Sequence, residues 1–187
     1  LEDAVSMSEK SIARKLVKDN IYKFKEKNIE VIVRLNDITS ELGVLDMEAI
    51  VEELPNAVIV PKADEDAILT AEILLKSTEL RYGINKNSIE IIPLLETSYS
   101  IANAYKILTV SRRITAVQLG AEDLTNELGI KRTIQGKEIE YARSVIAHAG
   151  NACKIDIIDT PFTHIKDDES LKRDTMNSKG LGFTGKA

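Results

Sequence analysis

Two apolar stretches of this chain end on an acid. IIPLLETSYS (91–100) reaches Glu96, and VQLGAEDLTNELG (117–129) turns through Gly120 and Ala121 to Asp123. A pair of carboxylates on strand tips makes a hard-oxygen site. Mg2+ is usually held by one or two carboxylates, with water and substrate oxygens completing an octahedron. Glu96 is a spare acid on this reading, because Thr97 and Ser98 follow it and can cap the next helix. For Asp123 the alternative is a helix cap. Zinc is not indicated, since no Cys/His ligand spacing is present.

Other polar residues fall at comparable places. Glu2 and Asp3 follow a first apolar fragment, Arg34 and Asn36 end VIVRLN, Lys62 ends AVIVPK, and Asp159 and Thr160 end KIDIIDTPF. Arg34 inside an apolar run needs a partner, because an unpaired buried charge is costly. That partner is either a substrate or, structurally, Glu2 or Asp3. Lys62 reads equally as a solvated strand end. His148 lies mid-helix and reads as structural, His164 lies just past a strand, and Cys153 reads as a small packed hydrophobe.

These tips must be positioned by strands. Val- and Ile-rich runs cover 31–36, 57–62, 89–96, 114–120 and 154–162, at intervals near the roughly 30 residues of a βαβ unit. Continuous apolar runs fit a parallel sheet covered on both faces. LEDAV at the start reads as the end of another strand and LGFTGKA as the start of one.

Helical patterns lie between. Ile12, Leu16, Ile21 and Phe24 share a face after Ser8; Asp46 is expected to cap a short helix stopped by Pro55; Asp64 caps a longer one ending near Gly83. Thr97 or Ser98 opens a helix with Ile101, Ala104 and Leu108, Gly150 is expected to close 137–149, and Asp167 and Gly180 bracket the last helix. Alternating strands and helices predict an α/β fold. An open doubly wound sheet competes with a (β/α)8 TIM barrel, but no Gly-rich phosphate fingerprint follows a strand. Five clear and two partial strands fall short of eight. The expectation is one barrel domain over 1–187, incomplete at both ends, lacking its first strand and C-terminal elements. In a parallel barrel, strand C-terminal ends meet on the face where active sites form.

The chain has 187 residues and a formal net charge of −5. No basic run is long enough for a nucleic-acid stripe, and no segment approaches a membrane span of about 20 apolar residues. A single cysteine excludes an intrachain disulfide and favours a cytoplasmic setting.

LEDAVS, VIVRLN, IVPKAD, IIPLLET, QLGAEDLTNELG, EYARSVI, IDTPF and LGFTGKA occur in this order along the whole chain. Together they resemble the citrate lyase beta subunit and its relatives, the malyl-CoA and citramalyl-CoA lyases. The resemblance implies a Mg2+-dependent barrel that cleaves a carbon–carbon bond in a 3-hydroxy-acyl thioester carried by CoA or acyl carrier protein. It implies Glu96 and Asp123 as metal ligands, Arg34 as the substrate-binding cation, and Glu2 and Asp3 as acids beside the metal's waters. It further implies that backbone at Gly120 and Ala121 faces the substrate carboxylate, and Lys62, at its own strand tip, is counted with them as an expected substrate-binding residue. A homo-oligomer or a larger citrate lyase complex is the expected assembly. A noncatalytic barrel serving as an assembly or binding subunit is the alternative, since fold alone does not fix function.

Overall fold

The computed structural model describes residues 1–2, 4–164 and 166–187. Its strands are β1 (Ile32–Arg34), β2 (Ala57–Val60), β3 (Glu90–Leu95), β4 (Ala116–Leu119), β5 (Asp156–Asp159) and β6 (Gly185–Lys186). They pair in parallel and in sequence order, giving a curled six-stranded half-barrel. The five apolar runs each supply a strand, and LGFTGKA supplies β6. LEDAV forms no strand among its described residues. Instead the Leu1 ammonium donates to the Arg34 carbonyl oxygen beside β1 (3.1 Å).

Alternation along the strands creates two faces. Val33, Val58, Val60, Ile91, Leu95, Val117, Leu119 and Ile157 point to the helices and form the main core. The other face carries a smaller cluster of Ala57, Ile92 and Ala116, with Ile59 and Ile158 against it. Arg34 pairs in register with Ile59 and lies on this second face. Between β3 and β4 the register slips by one residue, from Ile91 opposite Ile114 to Leu94 opposite Gln118. The slip spans Pro93, which has no N–H to donate.

The helices are α1 (Lys10–Lys25), α2 (Glu41–Ile50), α3 (Glu65–Arg81), α4 (Ser98–Ala102), α5 (Ala104–Leu108), α6 (Ala121–Glu127), α7 (Glu140–Cys153) and α8 (Asp168–Gly180). Asp64 and Asp167 are the expected caps, accepting from the Ala67 and Ser170 N–H groups. Three expectations are corrected. Ser40, not Asp46, caps α2; Asp46 lies inside it, fully buried, and accepts from Asn36 and Arg14. Gly150 is interior to α7, where a Cβ would meet Ile157 at 2.6 Å, so it serves close helix–strand packing. Lys154, in the left-handed region, ends the helix. On α1 only Ile21 of the predicted apolar face is buried; Ile12, Leu16 and Phe24 stay exposed, because α1 packs chiefly against α2 and leaves the rest of that face uncovered among the described residues.

Candidate active site

Glu96 immediately follows β3 and is only 6% exposed. Its Oε1 accepts the Lys62 backbone N–H at 2.7 Å. Lys62 sits at φ +47°, an unusual conformation for a residue with a side chain. That turn aims its N–H at the carboxylate while its ammonium chain remains exposed. Lys62 therefore acts on Glu96 through its backbone, a role its side-chain type does not signal.

Thr97 caps α4 in a reciprocal capping box with Ser100, so Glu96 is not needed as a cap. Gly120 follows β4, and a Cβ there would stand 2.5 Å from Glu96 Cβ and 2.6 Å from its Oε2. Asp123 is the third residue of α6, half-buried, and no hydrogen bond among the described residues engages its carboxylate. Gly120, not Asp123, holds the N-cap position, so the capping alternative for Asp123 fails.

Burial pushes the Glu96 carboxyl up to about 7; the Lys62 N–H opposes this, and the charges of Asp123 and Glu2 reinforce it, with Arg34 opposing. These groups therefore share one electrostatic site. Arg34 Nε pairs with Glu2 Oε2 at 3.0 Å, and the arginine side chain is 40% exposed. The ion pair with Glu2, the structural alternative for Arg34, is present, and the guanidinium still reaches solvent. Glu2 is held in place by Lys10, whose Nζ donates to the Leu1 and Glu2 carbonyl oxygens (2.9 and 2.7 Å) and to Asn36 Oδ1 (2.8 Å). Asp3 lies outside the described residues.

Backbone at Gly120 and Ala121 is already engaged. Gly120 N–H donates to the Leu95 carbonyl oxygen (3.0 Å) and Ala121 N–H to Thr160 Oγ1 (3.2 Å). Beside them lies a buried charge cluster. Arg143 Nε and Nη2 donate to the two Asp159 oxygens (3.0 and 2.7 Å), Nη2 also reaches Asp174, and Lys186 Nζ donates to both acids at 2.7 Å. Sequence reading placed Asp159 and Thr160 at a strand tip but missed Arg143. Its only sequence signal is a charge three residues before Ile146, a buried position of α7. His148 is exposed and bonds the carbonyl oxygen one turn back, as expected of a structural histidine.

Among the described residues no three His, Cys, Asp or Glu side chains converge. A metal would rest on Glu96 and Asp123, and both fit. One Glu96 oxygen is oriented by a backbone N–H, the other is uncommitted, and a second carboxylate stands nearby without a hydrogen-bond partner. Two carboxylates with oxygen donors suit Mg2+.

The model of the HpcH/HpaI aldolase/citrate lyase family matches residues 1–187. The chain belongs to this family. It is 33% identical over 188 residues to citrate lyase subunit beta of Leuconostoc mesenteroides subsp. cremoris, covering all of this chain and 62% of that one. It is 28% identical over 186 residues to a (3S)-malyl-CoA thioesterase of Cereibacter sphaeroides, covering 100% and 61%. The chain thus spans less than two thirds of the length of these relatives. Among solved structures, the citrate lyase beta subunit from M. tuberculosis complexed with oxaloacetate and magnesium superposes with a TM-score of 0.75 at 23% identity, over 99% of this chain and 77% of that one. That likeness supports the fold. No helix among the described residues is long and apolar enough to cross a membrane.

Proposed function

We propose that this chain forms the catalytic half of a Mg2+-dependent carbon–carbon lyase. Its substrate is a citryl thioester, as citryl-ACP or citryl-CoA, cleaved to oxaloacetate and an acetyl thioester. The observation that carries this reading is the carboxylate pair: Glu96, fixed by Lys62 and fitted against Gly120, beside the unengaged Asp123. The substrate choice follows the relatives, since citrate lyase beta subunits match at 32–33% identity and the malyl-CoA thioesterase at 28%. That last match points to a malyl thioester as an alternative substrate and so favours the second reading, a malyl-CoA or citramalyl-CoA lyase, in its substrate only.

Glu96 and Asp123 would hold the ion. When bound, Mg2+ supplies Lewis-acid polarisation of the substrate's hydroxyl and carboxylate oxygens. Arg34 offers a permanent, fork-shaped cation to the substrate carboxylate or to the negative charge that develops on the thioester. Glu2 and Asp3 are the acids assigned to take the hydroxyl proton. As that proton leaves, the hydroxyl-bearing carbon becomes the keto carbon of oxaloacetate. The electron pair of the broken bond passes to the thioester α-carbon, which then takes up a proton. Gly120, Ala121 and Lys62 contribute backbone surface to the substrate's seat; none of the three contributes a free N–H in this arrangement.

A closed barrel has eight strands and no open edge. Here β1 and β6 are the outermost of six strands. We assign residues 1–187 to a single (β/α)8 domain completed by strands beyond β1 and β6, from the same protein or a neighbouring subunit. The partners are the acyl carrier, as CoA or acyl carrier protein, and sister subunits of a homo-oligomer or citrate lyase complex.

The deciding experiment measures oxaloacetate release from citryl-CoA and glyoxylate release from malyl-CoA, each with Mg2+ and with chelator. Mg2+-dependent citryl cleavage is expected. Faster malyl cleavage would select the second reading, and no turnover of either thioester would leave a binding or assembly role.

A further inference from the structure

The first turn of α6 carries Asp123, and its start poses a problem. A helix leaves its first N–H groups without intrahelical acceptors, and a Ser, Thr, Asp or Asn at the N-cap normally supplies one. The N-cap here is Gly120, which has no side chain. It cannot be given one without disturbing the site, because the Cβ would fall 2.5 Å from Glu96 Cβ. Fitting Glu96 into place thus removes the local cap from the helix that bears the second carboxylate.

An acceptor for the first of these open N–H groups comes from the next strand. Thr160, directly after β5, accepts the Ala121 N–H on its Oγ1 at 3.2 Å. Both residues are 0% exposed, so water has no access to replace the bond. Thr160 is anchored in turn. Its neighbour Asp159 is gripped by Arg143 from α7 and by Lys186 from β6. A continuous path therefore runs from the charge cluster through Asp159 and Thr160 to the first turn of α6.

We propose that Thr160 is a positioning residue of the site: its hydroxyl holds the first N–H of α6, at a helix start whose N-cap has no side chain, and so sets where Asp123 stands relative to Glu96. This rests on the reading of Asp123 as a metal ligand. The clustered charges behind Thr160 keep β5 from yielding, and the helix start is held from outside its own sequence.

The test compares wild type, Thr160→Val, which keeps the shape and loses the acceptor, and Thr160→Ser, which restores it. Mg2+ binding is read by calorimetry, and exchange of the Ala121 amide is read by NMR in metal-free protein. Thr160→Val should weaken Mg2+ binding by roughly 10- to 100-fold, the range typical of groups that orient metal ligands, and should speed Ala121 exchange. Thr160→Ser should restore both. Should Thr160→Val not fold, Thr160→Ala takes its place. Wild-type Mg2+ affinity in a folded Thr160→Val protein overturns the proposal while leaving the metal reading intact. A wild type that binds no Mg2+ removes the metal reading instead. Ala121 exchange then decides whether Thr160 holds the helix start, and unchanged exchange in Thr160→Val overturns it.

Discussion

Glu96 occupies the space that a side chain on residue 120 would need: its Oε2 lies 2.6 Å from the position of a Gly120 Cβ. The glycine at the turn after β4 is thus explained by the carboxylate after β3. Its φ is −102°, in a region open to any residue, so the requirement is space and not backbone freedom.

Gly120→Ala should therefore displace Glu96. Overpacking of this kind typically costs about 1–3 kcal/mol, and the carboxylate would lose its alignment with Lys62. Thermal melts and Mg2+ calorimetry should show lower stability and at least roughly tenfold weaker binding. An alanine variant with wild-type affinity would mean that Glu96 does not hold the ion from this position.

Glu96→Gln and Asp123→Asn should each weaken Mg2+ binding while the fold persists, since each removes a charged ligand and keeps its shape. Unchanged affinity in both amides, with native circular dichroism, would remove the metal assignment.

Metal-free protein should lose stability as pH rises from about 4.5 to about 7. The folded Glu96 pKa, at about 7, lies above the ordinary 4.5 because burial disfavours the charged form. The folded state therefore binds the proton more tightly than the unfolded state, and its advantage is full below pH 4.5 and gone above 7. The amplitude is on the order of 3 kcal/mol. Glu96→Gln should flatten this part of the profile. Mg2+ competes with the same proton, so affinity should rise through pH 7. Denaturant titrations across pH, repeated on the glutamine variant, check the first claim; identical wild-type and variant profiles would refute it.

Arg34→Lys should lower turnover by about 100- to 1,000-fold, the scale of a lost transition-state donor of about 2.7–4 kcal/mol. Stability should change by no more than about 1 kcal/mol, because the Glu2 ion pair is partly solvated. Lost stability with unchanged turnover per folded molecule would make the ion pair the whole role of Arg34.

Arg143→Ala should be the most destabilising of these substitutions, at about 3–5 kcal/mol, because it leaves Asp159 and Asp174 buried with only Lys186 between them. Urea unfolding measures it. A loss below about 1 kcal/mol would show that Lys186 alone neutralises the pair.

The sequence by itself determined the alternation of strands and helices, the parallel α/β class and the row of polar residues at strand ends; the sheet's order and its half-barrel curl came from the structure. Strand signals are local: Val and Ile runs, their spacing, and caps such as Asp64 and Thr97 lie within a few residues of what they control. The same locality made Glu96 legible as a spare acid, because its neighbours could cap the helix without it. Tertiary structure alone decided how the tips serve each other. The Lys62 N–H reaches Glu96 across 34 residues, and Thr160 reaches Ala121 across 39. Asp46 shows the converse: a residue that reads locally as a cap is instead drawn inward by Asn36 and Arg14. Hydrogen bonds and steric fits between strand ends depend on which strands become neighbours and on a one-residue slip between β3 and β4. Those are properties of the assembled sheet, which no stretch of chain short enough to read by pattern contains.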